Sequence, residues 1–226
     1  DFAPITLAID SPSLLVVNSS VPAKSVKELI ALAKARPGEL NYSSGSIGGS
    51  AHLSAELFNY MAGVNIVRIP YKGSGPSLNA LIAGQVQLMF PATGTVTTHV
   101  KSGRLRALAV TSAQPSVLAP GLPTIAESGL PGYESVSILG MFAQGKTPAP
   151  VINLLHRDIV RFLNRADAKD KLFNAGLETV GSTPEHLARR VEGLIEERRR
   201  LERRVEELIK GGGAQAPGQV TEVGGT

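Results

Sequence analysis

Cysteine and tryptophan are absent from the 226 residues, and aromatic side chains make up only 4% of them. Without cysteine there is no disulfide framework, no thiolate metal site and no cysteine nucleophile. Compartment stays open, because an oxidising space tolerates a cysteine-free chain as readily as a reducing one. The few Phe and Tyr are scattered and offer no stacking platform for single-stranded nucleic acid. Long apolar runs are lacking too, and no stretch approaches the ~18 residues of a membrane span. Nor is charge of one sign concentrated. The net charge is +4, yet 14 of the 42 charged residues fall between Arg189 and Lys210, eight positive and six negative. That is a mixed-sign surface and not a phosphate-binding stripe, so nucleic acid is not an expected partner.

What is present is a globular composition, 42% hydrophobic and 19% charged, enough for one large domain or two small lobes. The chain opens at Asp1 with neither methionine nor a signal-like segment, which reads as a processed chain or a piece of a longer one. Short aliphatic runs alternate with helical patterns over the first 130 residues, the rhythm of an α/β fold. Strands are predicted at Ile5 to Ile9, Leu14 to Val17, Leu40 to Ser43, Val64 to Ile69, Val86 to Phe90 and Leu105 to Thr111. Ser25 can cap a helix to Ala35, ended by Pro37-Gly38. A second helix runs from about Ser50 to Ala62 with Leu53, Leu57, Phe58 and Met61 on one face, and a third from Pro76 to Ala83.

Pro115, Pro120, Pro123 and Pro131 mark the best internal boundary. Beyond it the pattern predicts a strand over Val136 to Ala143, helices at about Val151 to Leu163 and Ala166 to Ala175, and a short strand from Leu177 to Val180. Thr183-Pro184-Glu185 opens a last helix. Its Leu187, Val191, Leu194, Arg198, Leu201, Val205 and Leu208 step by fours and threes, a heptad seam with one arginine in a core position. Pro184 to Lys210 would reach ~40 Å, more than one small lobe covers. Gly211-Gly212-Gly213 ends it, and residues 211–226 read as a flexible tail.

Gly140 to Thr147 satisfies the GxxxxGK[ST] phosphate-loop pattern after a predicted strand. A phosphate loop needs helical residues carrying N–H donors directly after its Lys and Thr, and here Pro148 and Pro150 follow. No apolar strand ending in Asp stands ready for magnesium. A better candidate is Asn41 to Ser50, where Ser44, Gly45, Ser46, Gly48, Gly49 and Ser50 lie between a strand end and a helix start. Glycines allow close backbone approach, hydroxyls can donate, and a helix amino end favours an anion. With no Lys or Arg in the loop, a carboxylate suits it better than a triphosphate. Taken alone, the loop reads equally as a serine-rich capped turn. Ile69 to Pro76, with Tyr71 and Gly73, and Pro91 to Gly94, with Pro91 and Thr93, end neighbouring strands and can converge on the same crevice. No GxSxG elbow occurs, the four histidines show no metal-ligand spacing, and His52 reads more simply as a polar surface or helix-packing residue than as a base. Neither metal nor cofactor is expected, and catalysis is not.

Taken in order, DFAPITLAIDSPSLLVVN, VPAKSVKELIALAKARPGELNYSSGSIGGSAHLSAELF, AGVNIVRIPYKGSGPSLNALIAGQVQLMF, KSGRLRALAVTSA, LPTIAESGLPGYE and GKTPAPVINLL resemble the Bug-type solute-binding receptors of tripartite tricarboxylate transporters, from Asp1 to about Ile195. That resemblance implies a type II periplasmic-binding fold, two α/β lobes closing like a flytrap on a small carboxylate. It also implies a periplasmic location, hand-over to membrane components of the transporter, and no catalysis. Residues 11–133 would be a complete lobe, while 1–10 and 134–210 would give the crossing strands, a partial second lobe and the long charged helix. Family members carry on the order of a further hundred residues ahead of this stretch. Their absence would leave apolar faces uncovered. Hence the expectation that the chain self-associates or pairs with a complementing chain, with Leu187, Val191, Leu194, Leu201, Val205 and Leu208 in the contact. The leading reading is a non-enzymatic carboxylate receptor, or a shortened derivative with weak or no binding. Its alternatives are an interaction module that associates through the heptad helix and a phosphate-loop hydrolase.

Overall fold

The computed structural model describes residues 1–196 and residue 199. β1 (Phe2–Pro12) and β2 (Leu14–Asn18) follow one another with only Ser13 between them, yet they lie in different sheets. β2 joins a five-stranded sheet in the order β4-β3-β5-β2-β6, built from β3 (Asn41–Ser44), β4 (Val67–Pro70), β5 (Leu88–Met89) and β6 (Leu105–Val110). β3 runs parallel to β4 and β5, and β2 is antiparallel to β5 and β6. Alternation along β2 explains how both faces are covered. Leu15 and Val17 face the cluster under α1 (Val26–Ala35) and α2 (Ser50–Ala62), while Leu14 and Val16 face the cluster under α3 (Ser74–Ile82) and α4 (Thr93–Lys101).

β1 forms the middle of a second sheet in the order β7-β1-β8, with β7 (Val136–Gln144) and β8 (Glu178–Thr179) both antiparallel to it. Helices α5 (Ala149–Leu163) and α6 (Ala166–Asn174) and a last helix, α7 (residues 184–196), follow β7 and flank this sheet. The chain thus passes between sheets twice, and fully buried Thr111 holds both passages. Its N–H donates to Ser13 O, its Oγ1 accepts from Ser13 N–H at 2.9 Å, and its carbonyl accepts from Ser135 N–H at 2.8 Å. Tyr133 Oη donates to Ser54 O, and Ser54 Oγ pairs with Ser135 Oγ at 2.7 Å, so α2 is tied to the second passage.

Several expectations are revised. Of the face expected on α2 only Leu53 departs, at 56% exposed; Phe58 is fully buried, Leu57 and Met61 pack partly buried against the core, and Ser54, Ala55 and Ala62 are buried beside them. The predicted strand at Val86 to Phe90 shrinks to Leu88–Met89. Leu187, expected at an intermolecular seam, is fully buried against β7, where a side chain at Gly140 would collide with it. Val191 borders an apolar groove with Phe2 and Phe142, and Leu194 is partly exposed. Arg198, Leu201, Val205, Leu208 and the 211–226 tail lie outside the described residues. The phosphate-loop pattern is not a phosphate loop. Gly140 is inside β7, Gly145 N–H donates to Asp1 O, Thr147 N–H donates to Gln144 O, and Pro148 leads α5.

Candidate functional site

β3, β4 and β5 end on one edge of the larger sheet, and α2, α3 and α4 begin there. Two adjoining hollows of about 270 and 280 Å³ open along that edge, sharing Ser50, Ala51, Ser74 and Met89. Gly45, Ser46, Gly49 and Gly73 line the first, and Pro91, Ala92 and Thr95 line the second. Neither is bordered by an acidic side chain. The two loops on β3 and β4 touch backbone to backbone. A Cβ at Gly45 would come within 3.3 Å of Gly73 Cα, and Gly73 itself sits at φ +102. Only glycine meets both demands without strain.

The donors do not sit quite where the loop sequence points. Gly48 N–H donates to His52 Nδ1 at 3.0 Å, and Gly49 N–H donates to Ser46 O at 3.3 Å, so both amides are spent inside the loop. Ser44 is fully buried beneath it. The first bond of α2 runs from Leu53 N–H to Gly49 O, which leaves Ser50, Ala51 and His52 N–H without acceptors in the helix. No side chain caps α2, α3 or α4, and none carries an acidic residue in its first turn. Three helix amino ends with their partial positive charge uncompensated therefore meet at one crevice. A carboxylate is the group such a crevice can hold: it accepts several N–H bonds and complements the dipoles without needing a cation in the loop.

Tyr71 and Thr93, also picked from the sequence, do not line the hollows. Tyr71 packs on the apolar cluster beneath α3 and α4, and buried Thr93 donates its hydroxyl to Pro12 O at 2.9 Å. Ala51 and His52 border the crevice without having been picked as ligand groups. The available signal was the first turn of a helix with no capping side chain. Behind the loop, Arg68 of β4 donates from Nε to Ser44 Oγ at 2.7 Å and from Nη2 to Gly45 O at 2.8 Å. Tyr42 Oη donates to Glu56 Oε1 at 2.5 Å; burial first, then that hydrogen bond, pushes the phenol above its ordinary range.

A second cavity, of about 350 Å³, lies where β1, β7, β8 and α7 meet the 112–116 segment. Asp10, Glu134 and Glu178 border it, with His186 and Arg190. Arg190 pairs with Glu134 at 2.8 Å, and Glu178 accepts a short bond from Ser116 Oγ. Asp10 Oδ1 is buried without a partner. Burial first, and then the Glu178 charge, raises the Asp10 carboxyl above its usual range. Among the described residues no acidic, histidine or cysteine cluster has the arrangement to hold a metal ion, and no helix is long and apolar enough to cross a membrane.

A mixed sheet flanked by helices and joined by two passages to a smaller sheet is the architecture of type II periplasmic binding proteins. The chain belongs to the tripartite tricarboxylate transporter family of receptors (TctC), whose model matches residues 1–208. BugT of Bordetella pertussis is 36% identical over 185 residues, 82% of this chain and 57% of its own length. A solved structure described as R. palustris Rpa4515 with adipate superposes with a TM-score of 0.76 at 37% identity, over 90% of this chain and 68% of that one. MatC (Rpa3494) from Rhodopseudomonas palustris with bound malate gives 0.72 at 27% identity, over 87% and 68%. Members of the family are solute-binding receptors, not enzymes. The chain spans 56% and 57% of the length of two of the curated relatives it matches, BugT being the second.

Proposed function

We propose that this chain provides the carboxylate-gripping lobe of a periplasmic solute receptor that passes its ligand, untransformed, to the membrane components of a tripartite tricarboxylate transporter. Residues 11–133 form the complete lobe, and residues 1–10 with 134–196 form part of the second. One carboxylate of a small di- or tricarboxylic acid sits at the Gly45 to His52 turn. It takes N–H bonds from Ser50, Ala51 and His52 and hydroxyl bonds from Ser46 and Ser50; Gly73, Pro91 and the first turns of α3 and α4 close the sides. The observation that carries this is the meeting of three uncapped, acid-free helix amino ends in one crevice. Relatives described with adipate and with malate support the ligand class. The interaction-module alternative has no such support, and Leu187 of its seam is already occupied within the chain.

A clamp gains affinity by removing the ligand from water on both sides. With one complete lobe the ligand stays half solvated, and binding by this chain is expected to be weak. Titration of the isotope-labelled chain with succinate and citrate, followed by amide NMR, tests the site. Shifts centred on Ser46 to His52 and Ser74 to Gly75, saturating slowly, are expected. No movement of these amides up to the solubility limit of succinate, or shifts centred elsewhere, overturns the assignment; tight calorimetric binding overturns the claim that a second full lobe is needed.

A further inference from the structure

We propose that Arg68 is the positioning residue of the carboxylate crevice: it turns the acceptors of the Ser44-Gly45 segment into the protein, so that donors face the ligand, and it supplies the positive charge the loop itself lacks. The proposal deepens the carboxylate reading above and rests on it for the ligand. Arg68 lies opposite Tyr42 in the parallel register of β3 and β4, two residues short of the crevice edge on each strand. From there its guanidinium reaches forward under the loop, taking Ser44 Oγ at 2.7 Å and Gly45 O at 2.8 Å. Ser44 O is engaged as well, accepting from Tyr71 N–H at 2.9 Å. All three oxygens at the root of the loop are thereby held away from a bound anion, which a free carbonyl lone pair would repel.

The second observation is the guanidinium's own balance. Arg68 is half-buried, and among the described residues no carboxylate pairs with it. Glu56 hydrogen-bonds the Tyr42 phenol and makes no ion pair with the guanidinium. A half-buried cation without a paired carboxylate gains when an anion arrives above it. The bound carboxylate is that counter-ion. Arginine suits the place better than lysine, because two directed donors from a planar fork fix the loop's orientation whereas an ammonium supplies only a point charge.

Arg68→Gln, Arg68→Lys and Ser44→Ala in the full chain separate these roles, using amide hydrogen exchange without ligand and succinate titration by NMR. Losing a charge-assisted bond makes the Gly45 to Gly49 amides of Arg68→Gln exchange about tenfold faster or more, while α1 amides keep their rates. Its apparent Kd for succinate rises by about the same factor and loses most of its dependence on salt. Arg68→Lys has equally fast loop exchange but keeps the salt dependence. Ser44→Ala, which spares the charge, gives smaller changes in the same direction and serves if Arg68→Gln fails to fold. Loop exchange unchanged in Arg68→Lys and Ser44→Ala overturns the positioning role, and succinate affinity and salt dependence unchanged in Arg68→Gln overturn the electrostatic one. A parent chain whose loop amides ignore succinate overturns the carboxylate reading, and with it the counter-ion role, while exchange still decides whether Arg68 holds the loop.

Discussion

At the amino end of α1, Ser25 Oγ accepts from Glu28 N–H at 3.2 Å and Glu28 Oε2 accepts from Lys24 N–H at 2.7 Å. At the amino ends of α2, α3 and α4 no side chain accepts from the helix's own first turn and no acid stands there; the one partial parallel is His52 Nδ1, which accepts from Gly48 N–H ahead of α2. The difference follows position. α1 starts away from the crevice and satisfies its donors locally; the other three start at it and leave theirs open. A capping side chain contributes about 1 kcal/mol, so three omissions on one edge are a stability cost borne where a ligand can repay it. α5 also lacks a capping side chain, and what separates it is place: α3 likewise carries a proline, Pro76, in its first turn and Thr95 N–H of α4 likewise turns back to Ala92 O, but the start of α5 lines neither hollow. An uncapped end is thus not by itself a site; open donors at a shared hollow are the distinction.

The strongest way to break the comparison is at α4, whose first turn is also pressed by the neighbouring sheet's connection. A Cβ at Gly176 would lie 2.5 Å from Gly94 N, and Gly176 has φ +78. Gly176→Ala is expected to lower stability by about 2 kcal/mol in urea unfolding; an unchanged midpoint would mean the two segments do not touch in solution. Next comes an exchange of roles between α1 and α2. Ser50→Asp brings its own anion to the open donors, weakening the succinate response about tenfold while gaining about 0.5 kcal/mol in stability. Ser25→Ala costs about 1 kcal/mol and leaves the succinate response alone. Equal effects of both on binding would erase the distinction.

The smallest effect sharpens a second contrast, between the acid-free crevice and the carboxylate-lined cavity beside β1. Because the Asp10 carboxyl is raised in the fold, the folded chain keeps a proton that the unfolded chain has already released. Stability therefore falls as pH rises from the ordinary carboxylate value through the raised one. Asp10→Asn is expected to raise Tm at neutral pH, with the gain fading as pH falls from the raised value and gone below about pH 4. A gain that grows on acidification would reverse the sign and show that Asp10 is favoured in its ionised form.

Much of this was legible in the residues. Ser25 and Thr183 act where they were expected, because capping chemistry is local. The runs ending β3, β4 and β5 do bring their loops to one edge. α4 escaped prediction: Thr93 to Lys101 holds four threonines, two valines and a glycine, poor helix formers, and its Val96 and Val100 are held by tertiary packing against the sheet. Leu53 misled because helical periodicity identifies an apolar face without saying which of its positions the sheet covers. Leu187 misled because a heptad seam looks the same whether its partner is another helix or β7. Arg68 was invisible as a functional residue, since its partners come from a strand 24 and 23 residues away, and only the parallel register reveals them.

Thr111 makes one further difference. With Ser13 and Ser135 both bonded to it, the outgoing and returning passages are clipped at a single point. Two struts fastened together behave as one beam: neither can swing while the other stays. Displacing one passage at this level breaks hydrogen bonds that Thr111 shares with the other, so the two connections shift together there.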